Sequence, residues 1–398
     1  MAVRILEQGS SLAGPESAEA SVRIPYHVRA LMPYAAGKPI SELAREQGLS
    51  RIVKLASNEN PLGPSPKAIA AAQEALSASH RYVDPRAYEL THALATQHGR
   101  GPDEIVVGAG TDSLIQFILT AFTVEGDEIV TAAGTFIGIF VNARKLNRKV
   151  VGVSLREWAY DLDAIARSVS QRTRIVYLAN PNNPTGTAFG PDEFHAFMRR
   201  LPCDTLVILD EAYVSYARRA GRFTDGVTYD YSNVIVTRTF SKDAGLAGLR
   251  VGYAVGPAAL MKELFKVRLP FEPSYPAQMA AIAALSDAEF LERTLAMNTL
   301  SLTQLAHELS QAGFAFPQTA ANFLLLLLPD EERAVDLTRR CLERGLILRH
   351  TRSFGVPTGV RINSGSPDET SFACETLCNI SATHPELLIS GSVTTPVS

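Results

Sequence analysis

Lys242 lies in RTFSKDAGLAGLRVGYAVG (238–256), between a serine and an aspartate, directly after VIVTRTF (234–240). The latter reads as a strand of β-branched and aromatic residues. The apolar LAGLRVGYAV (246–255) follows, so the lysine occupies a tight connection between two buried elements. A loop lysine is ordinarily a solvated charge. Held in a partly dry connection it becomes a candidate amine nucleophile, because desolvation favours the neutral form that attacks a carbonyl. Schiff-base chemistry is therefore the first expectation.

Other reactive types stand just after other apolar runs, where ligands collect in an open α/β sheet. Thr111, Asp112 and Ser113 follow EIVVGAG at a helix start, an ordinary cap or an anion cradle. NNPTG (182–186) follows RIVYLANP and could equally be a plain turn. Asp210 ends the strand-like TLVILD, with Tyr213 three residues on. Thr239 and Ser241 precede the lysine, and Arg250 stands eight residues beyond it. Each is weak alone. Together they supply what pyridoxal 5′-phosphate requires: an amine for the Schiff base, a carboxylate for the pyridinium proton, and hydroxyls, amides and a guanidinium for the phosphate. GAGTDS lacks the third glycine of a dinucleotide fingerprint and no GxxxxGK[ST] occurs.

These residues need a scaffold. From about residue 87 helix-like and strand-like stretches alternate, and the strands are continuous apolar runs. This predicts an α/β fold with a mainly parallel central sheet covered by helices on both faces. Beyond about residue 257, long helical patterns and two strand-like stretches, ANFLLLLL and GVRINSG, predict a smaller C-terminal α+β domain. The chain has 398 residues, 46% hydrophobic, enough for one large and one small core. A formal charge of −3 and no basic stripe disfavour nucleic acid. The N-terminus lacks a long apolar core, and FLLLLL (323–328) has strand length, so no membrane segment is expected. Cys203, Cys341, Cys374 and Cys378 form no CxxC pair, no metal site is expected, and a reduced cytoplasm is the default.

The chain resembles the fold-type-I pyridoxal-phosphate aminotransferases of class I/II, and within them the histidinol-phosphate aminotransferase family. The resemblance rests on HVRALMPYAAGKPISELAREQGL (27–49), KLASNENPLGPSP (54–66), RYVDPRAYEL (81–90), GAGTDS (108–113), NPNNPTG (180–186), LDEAYVSY (209–216), RTFSKDAGLAGLRVGYAVG (238–256) and the Arg349 and Arg361 regions. It implies an N-terminal segment (1–53) packed on the small domain, a large cofactor-binding domain (54–257, with helices to about 290) and a small domain (291–398). Carried onto this sequence, it makes Lys242 the Schiff-base lysine and proton shuttle and pairs Asp210 with the pyridine nitrogen. Tyr213 and Asn183 would bind the ring's phenolic oxygen. Thr239, Ser241, Arg250 and the Thr111–Asp112 loop would hold the phosphate, joined by Tyr82 from the neighbouring subunit of a homodimer. Arg361 would bind the substrate's carboxylate or equivalent anion, with Asn58 nearby and Arg349 beside the distal end.

Two departures stand out. The family's PTFxxY is GTFIGIF (134–140) here, which puts Ile139, or with a one-residue shift Phe140, where a tyrosine lies against the cofactor. The family's PFNVNSLAQ is PFEPSYPAQ (270–278), so Glu272 is either a surface carboxylate or a cleft residue that repels phosphate and attracts cations. The main expectation is amino transfer from an amino acid or related amine to a 2-oxo acid. The alternative is oxidation of a basic amino acid such as L-arginine by dioxygen.

Overall fold

The computed structural model describes residues 22–31, 45, 48–49 and 51–389, so most of the 27–49 motif and of the expected N-terminal segment lies outside the described residues. Twelve strands are described: β1 Val53–Lys54, β2 Ile105–Gly108, β3 Glu128–Ala132, β4 Lys149–Val153, β5 Thr173–Ala179, β6 Leu206–Asp210, β7 Val234–Thr239, β8 Gly252–Val255, β9 Phe323–Leu327, β10 Leu346–Ile347, β11 Arg349–His350 and β12 Gly359–Asn363. The central sheet runs β2, β8, β7, β6, β5, β3, β4. Only β8 runs against the others.

Helices cover both faces, which is why the strands read as unbroken apolar runs. Every residue of β2, β3, β6 and β8 is buried. Successive residues of β6 alternate between two cores: Val207 and Leu209 pack with Leu90, Leu94 and Phe194, whereas Leu206 and Ile208 pack with Leu114, Ile115 and Ile118. The parallel strands therefore all deliver their carboxyl ends to one edge, where connecting loops carry the candidate residues.

The second, smaller sheet is antiparallel, in the order β11, β12, β9. Leu324 and Leu326 of β9 face a core built with the helices Ala288–Gln311, Glu331–Glu343 and Pro367–Thr383, while Leu325 and Leu327 face Trp158 and Leu155, which follow β4. β9 is thus covered on both its faces. β1 pairs parallel with β10, Val53 opposite Leu346 and Lys54 opposite Ile347. Among the described residues no helix is long and apolar enough to cross a membrane.

Candidate active site

Above the carboxyl edge lies a cavity of about 220 Å³. Several connecting segments converge on it. Lys242 directly follows Ser241, three residues past the end of β7, and its Nζ donates to the Ser57 carbonyl at 3.3 Å. The lysine loop is pinned from behind, because Asn60 Nδ2 donates to the Asp243 carbonyl at 2.9 Å. Gly245, at φ +70°, lets the same loop touch the Gly63 backbone, where a Cβ would sit 2.1 Å from the carbonyl oxygen. Burial, followed by the charge of Arg361, lowers the Lys242 pKa to about 8. An amine in this range is both a usable nucleophile and a usable proton carrier.

Asp210 closes β6 and faces the same cavity. Tyr177 donates its hydroxyl to Oδ2 at 2.7 Å and the Ala212 N–H donates to Oδ1 at 3.2 Å. Burial nevertheless raises the carboxyl to about 6. A dry carboxylate of this kind is stabilised by a proton-bearing nitrogen placed against it. Tyr213, whose hydroxyl accepts from Asn58 Nδ2 at 2.8 Å, stands beside Lys242, with Nζ 5.9 Å from its ring centroid. Burial raises its pKa, so the phenol keeps its proton.

The phosphate end is made of hydroxyls, amides and one guanidinium. The helix Thr111–Phe122 opens at the cavity, and the positive end of its dipole suits an anion. Gly110, just before it, adopts φ 86°, ψ 168°, a conformation nearly confined to glycine. A Cβ there would lie 2.5 Å from Arg250 Nη2, so the missing side chain admits the guanidinium. Thr239 Oγ1 donates to Ser241 Oγ at 2.9 Å, and Arg250 Nη1 reaches the same hydroxyl at 3.4 Å. Asp112 lines the cavity and accepts from Asn142 Nδ2 at 3.0 Å.

At the opposite end, Arg349 and Arg361 are register partners across β11 and β12, which puts both guanidinium groups on one face. Each lies over the ring of Phe354, at 5.5 and 5.2 Å from its centroid. Arg361 also donates to the Asn183 side-chain oxygen and to the Ala56 carbonyl, the latter at 2.9 Å. The distal end of the site therefore carries two guanidinium groups.

The expected Lys242, Asp210, Tyr213, Asn183, Asn58, Thr111, Asp112, Thr239, Ser241, Arg250, Arg349 and Arg361 all line this one cavity. Three expected residues do not. Ile139 is fully buried among Leu114, Ile115 and Ala143, on the core side of the helix Ile137–Lys145; the aromatic wall is Phe136, the residue just before that helix. Gly138 makes room for it, since a Cβ would meet the Phe136 ring at 2.3 Å. Phe140 likewise packs against the core. Glu272 does not line the cavity; its half-buried carboxyl interacts with the Ala109 amide, and desolvation raises its pKa. Tyr82 lies outside as well, largely exposed and 4.6 Å from the Phe271 ring. Reading the sequence missed Phe136 and Tyr177.

The residues present fit pyridoxal phosphate: a buried carboxylate that lacks a cation, an amine near neutrality and a glycine-admitted guanidinium face one cavity. Fold and site define an enzyme of the pyridoxal-phosphate aminotransferase class. The description "Aminotransferase class I and II" matches residues 50–377. A histidinol-phosphate aminotransferase from Anaeromyxobacter sp. is 41% identical over 345 residues, 86% of this chain and 94% of its own length. Histidinol-phosphate aminotransferase 1 from Cupriavidus pinatubonensis is 39% identical over 87% of this chain and 93% of its own. The crystal structure of a histidinol-phosphate aminotransferase from Sinorhizobium meliloti in complex with pyridoxal 5′-phosphate superposes with a TM-score of 0.85 at 28% identity, covering 92% of this chain and all of that one. The chain belongs to the class I and II aminotransferase family.

Proposed function

We propose that this aminotransferase takes its amino group from an amine carrying an anionic phosphate ester, histidinol phosphate, and passes it to a 2-oxo acid. The observation that carries this reading is the cross-strand pair Arg349 and Arg361 at the substrate end of the cavity. An anion placed between the two guanidinium groups would accept charge-assisted hydrogen bonds from both. A phosphate ester and, in the second half-reaction, a carboxylate are such anions. The curated relatives carry the same substrate in their names.

Pyridoxal phosphate supplies the aldehyde carbon and the electron sink. Lys242 would attach it and then move the proton at the substrate's α-carbon. Asp210 would hold the pyridine-nitrogen proton, and Tyr213 and Asn183 would donate hydrogen bonds to the ring oxygen. Thr239, Ser241, Arg250 and the amides at Thr111 would bind the phosphate, and Phe136 would wall one face of the ring.

A basic amino acid fits this site poorly, since its cationic side chain would meet two guanidinium groups and Glu272 lies outside the cavity. The test is turnover of histidinol phosphate and L-arginine, each with and without a 2-oxo acid, while oxygen uptake is recorded. The reading expects turnover of the phosphate ester that requires the oxo acid and consumes no oxygen. Acceptor-free oxygen uptake with L-arginine would reverse it.

We also infer a homodimer with shared sites in a reducing, cytoplasmic setting. In its support, Tyr82 stands clear of its own cavity on Phe271, near other exposed apolar side chains at Leu269 and Tyr88. Arg268 ties this segment to the 82–88 turn by donating to the Pro85 carbonyl at 2.9 Å.

A further inference from the structure

We propose that Tyr177 is a positioning residue for the amino-transfer reaction, holding the Asp210 carboxylate ionised and aimed into the cavity through the hydrogen bond from its hydroxyl. The inference rests on the reading of Asp210 as the partner of the cofactor's pyridine nitrogen.

Tyr177 sits in the middle of β5, fully buried, in the apolar layer of Ile115, Ile139, Ile175 and Ile208. A tyrosine there places a polar atom where phenylalanine would pack equally well, and a buried hydroxyl without a partner costs stability. The register explains its partner. Tyr177 lies opposite Ile208 on β6, and Ala179 lies opposite Asp210, so Tyr177 and Asp210 are diagonal neighbours on one face. A long aromatic side chain spans that diagonal. Its hydroxyl meets Asp210 Oδ2 at 2.7 Å from the core side.

Three consequences follow. Burial keeps the Tyr177 phenol protonated, so toward the carboxylate it is a donor. With the Ala212 N–H on Oδ1, each carboxylate oxygen receives one anchoring bond, which fixes the plane of the group and leaves lone pairs for the cavity. Both bonds favour the charged form against desolvation. The other titratable groups around Asp210 are Tyr160, whose hydroxyl accepts from the Ala179 N–H, Glu211 and Tyr213 on the following residues and Lys242 across the cavity; among them Glu211 opposes ionisation. Without Tyr177, Asp210 would compete harder for the proton it shares with the pyridine nitrogen, and the ring would draw electrons less strongly.

The test is Tyr177→Phe, which keeps the ring and removes only the hydroxyl. Two readouts are compared with the wild type. In the apoprotein, with aspartate carboxyl carbons labelled, the signal lost in Asp210→Asn is titrated by carbon NMR; the expected result is a higher midpoint in Tyr177→Phe by about one pH unit. In the holoenzyme kcat is expected to fall about tenfold with KM within about twofold, because the lost interaction acts on the chemical step. A purely structural role would lower the melting temperature but leave the Asp210 midpoint and kcat unchanged, and that outcome overturns the proposal. The apoprotein titration involves no substrate, so it decides the point even if histidinol phosphate proves the wrong amine. A shifted midpoint in a variant that turns over no phosphate ester would count against the substrate reading alone.

Discussion

Gly110→Ala isolates the contribution of the phosphate cradle. At φ 86°, ψ 168° an alanine is strained by about 1–3 kcal/mol. Its methyl would also sit 2.5 Å from Arg250 Nη2, so the guanidinium must swing away or the loop must open. A charge-assisted bond from Arg250 to a phosphate contributes about 1.5–3 kcal/mol. The apoprotein can relax the loop and shed part of the strain. The phosphate-bound form cannot, because the Thr111 amides and Arg250 must converge on one anion. The dissociation constant for pyridoxal phosphate is therefore expected to rise by about 10- to 100-fold. Pyridoxal, which lacks the phosphate, should lose less than about threefold on the same scale. Titrating the apoprotein with each compound and following cofactor absorbance gives both constants. Equal losses for the two compounds, or none for pyridoxal phosphate, would refute the cradle assigned to Gly110, Thr111 and Arg250.

Lys242 should capture pyridoxal phosphate on the apoprotein at a rate that climbs about tenfold between pH 7 and 9 and then levels off, the profile of an amine near pKa 8; an ordinary lysine would keep climbing. Lys242→Ala should leave no borohydride-reducible adduct. The same shift has a stability consequence: the folded pKa is depressed below the ordinary lysine value of about 10.5, so the unfolded chain binds more protons and apoprotein stability should rise as pH climbs from about 8 toward 10.5. Loss of that rise in Lys242→Met, measured by chemical denaturation, is the check. For the dimer, the solution mass should be twice the chain mass of 43.0 kDa, and a fully active monomer would contradict the shared sites.

Residues that follow a buried strand were legible, because strand ends in a parallel sheet all meet at one edge; Asp210, Thr239, Ser241 and Lys242 needed only that rule. Arg349 and Arg361 came from family resemblance, and their cross-strand register became visible only in the fold. The stacking position failed for a reason of phase. Motif alignment pointed to Ile139, but the helix begins at Ile137, so the residue at its threshold faces the cavity and the one two places in faces the core. Gly138 was the available signal, a gap that only a neighbouring ring would require. Tyr177 was hidden in RIVYLANP, an apolar run in which an aromatic residue looks like core filling. Glu211 and Arg238 show the same limit: their buried ion pair at 2.6 Å, with Asp225 at 2.7 Å from the same Arg238 nitrogen, braces β6 and β7 beneath the site, and sequence spacing gives no hint of it.

If the arginine pair reads a phosphate ester, kcat/KM for histidinol phosphate relative to histidinol, compared between the wild type and Arg349→Gln, reports on it without an intermediate step. The wild type is expected to favour the phosphate ester by at least about 100-fold, and Arg349→Gln to reduce this ratio about tenfold or more, the loss of one charge-assisted contact. Equal turnover of the two amines, or a ratio unchanged by Arg349→Gln, would contradict it.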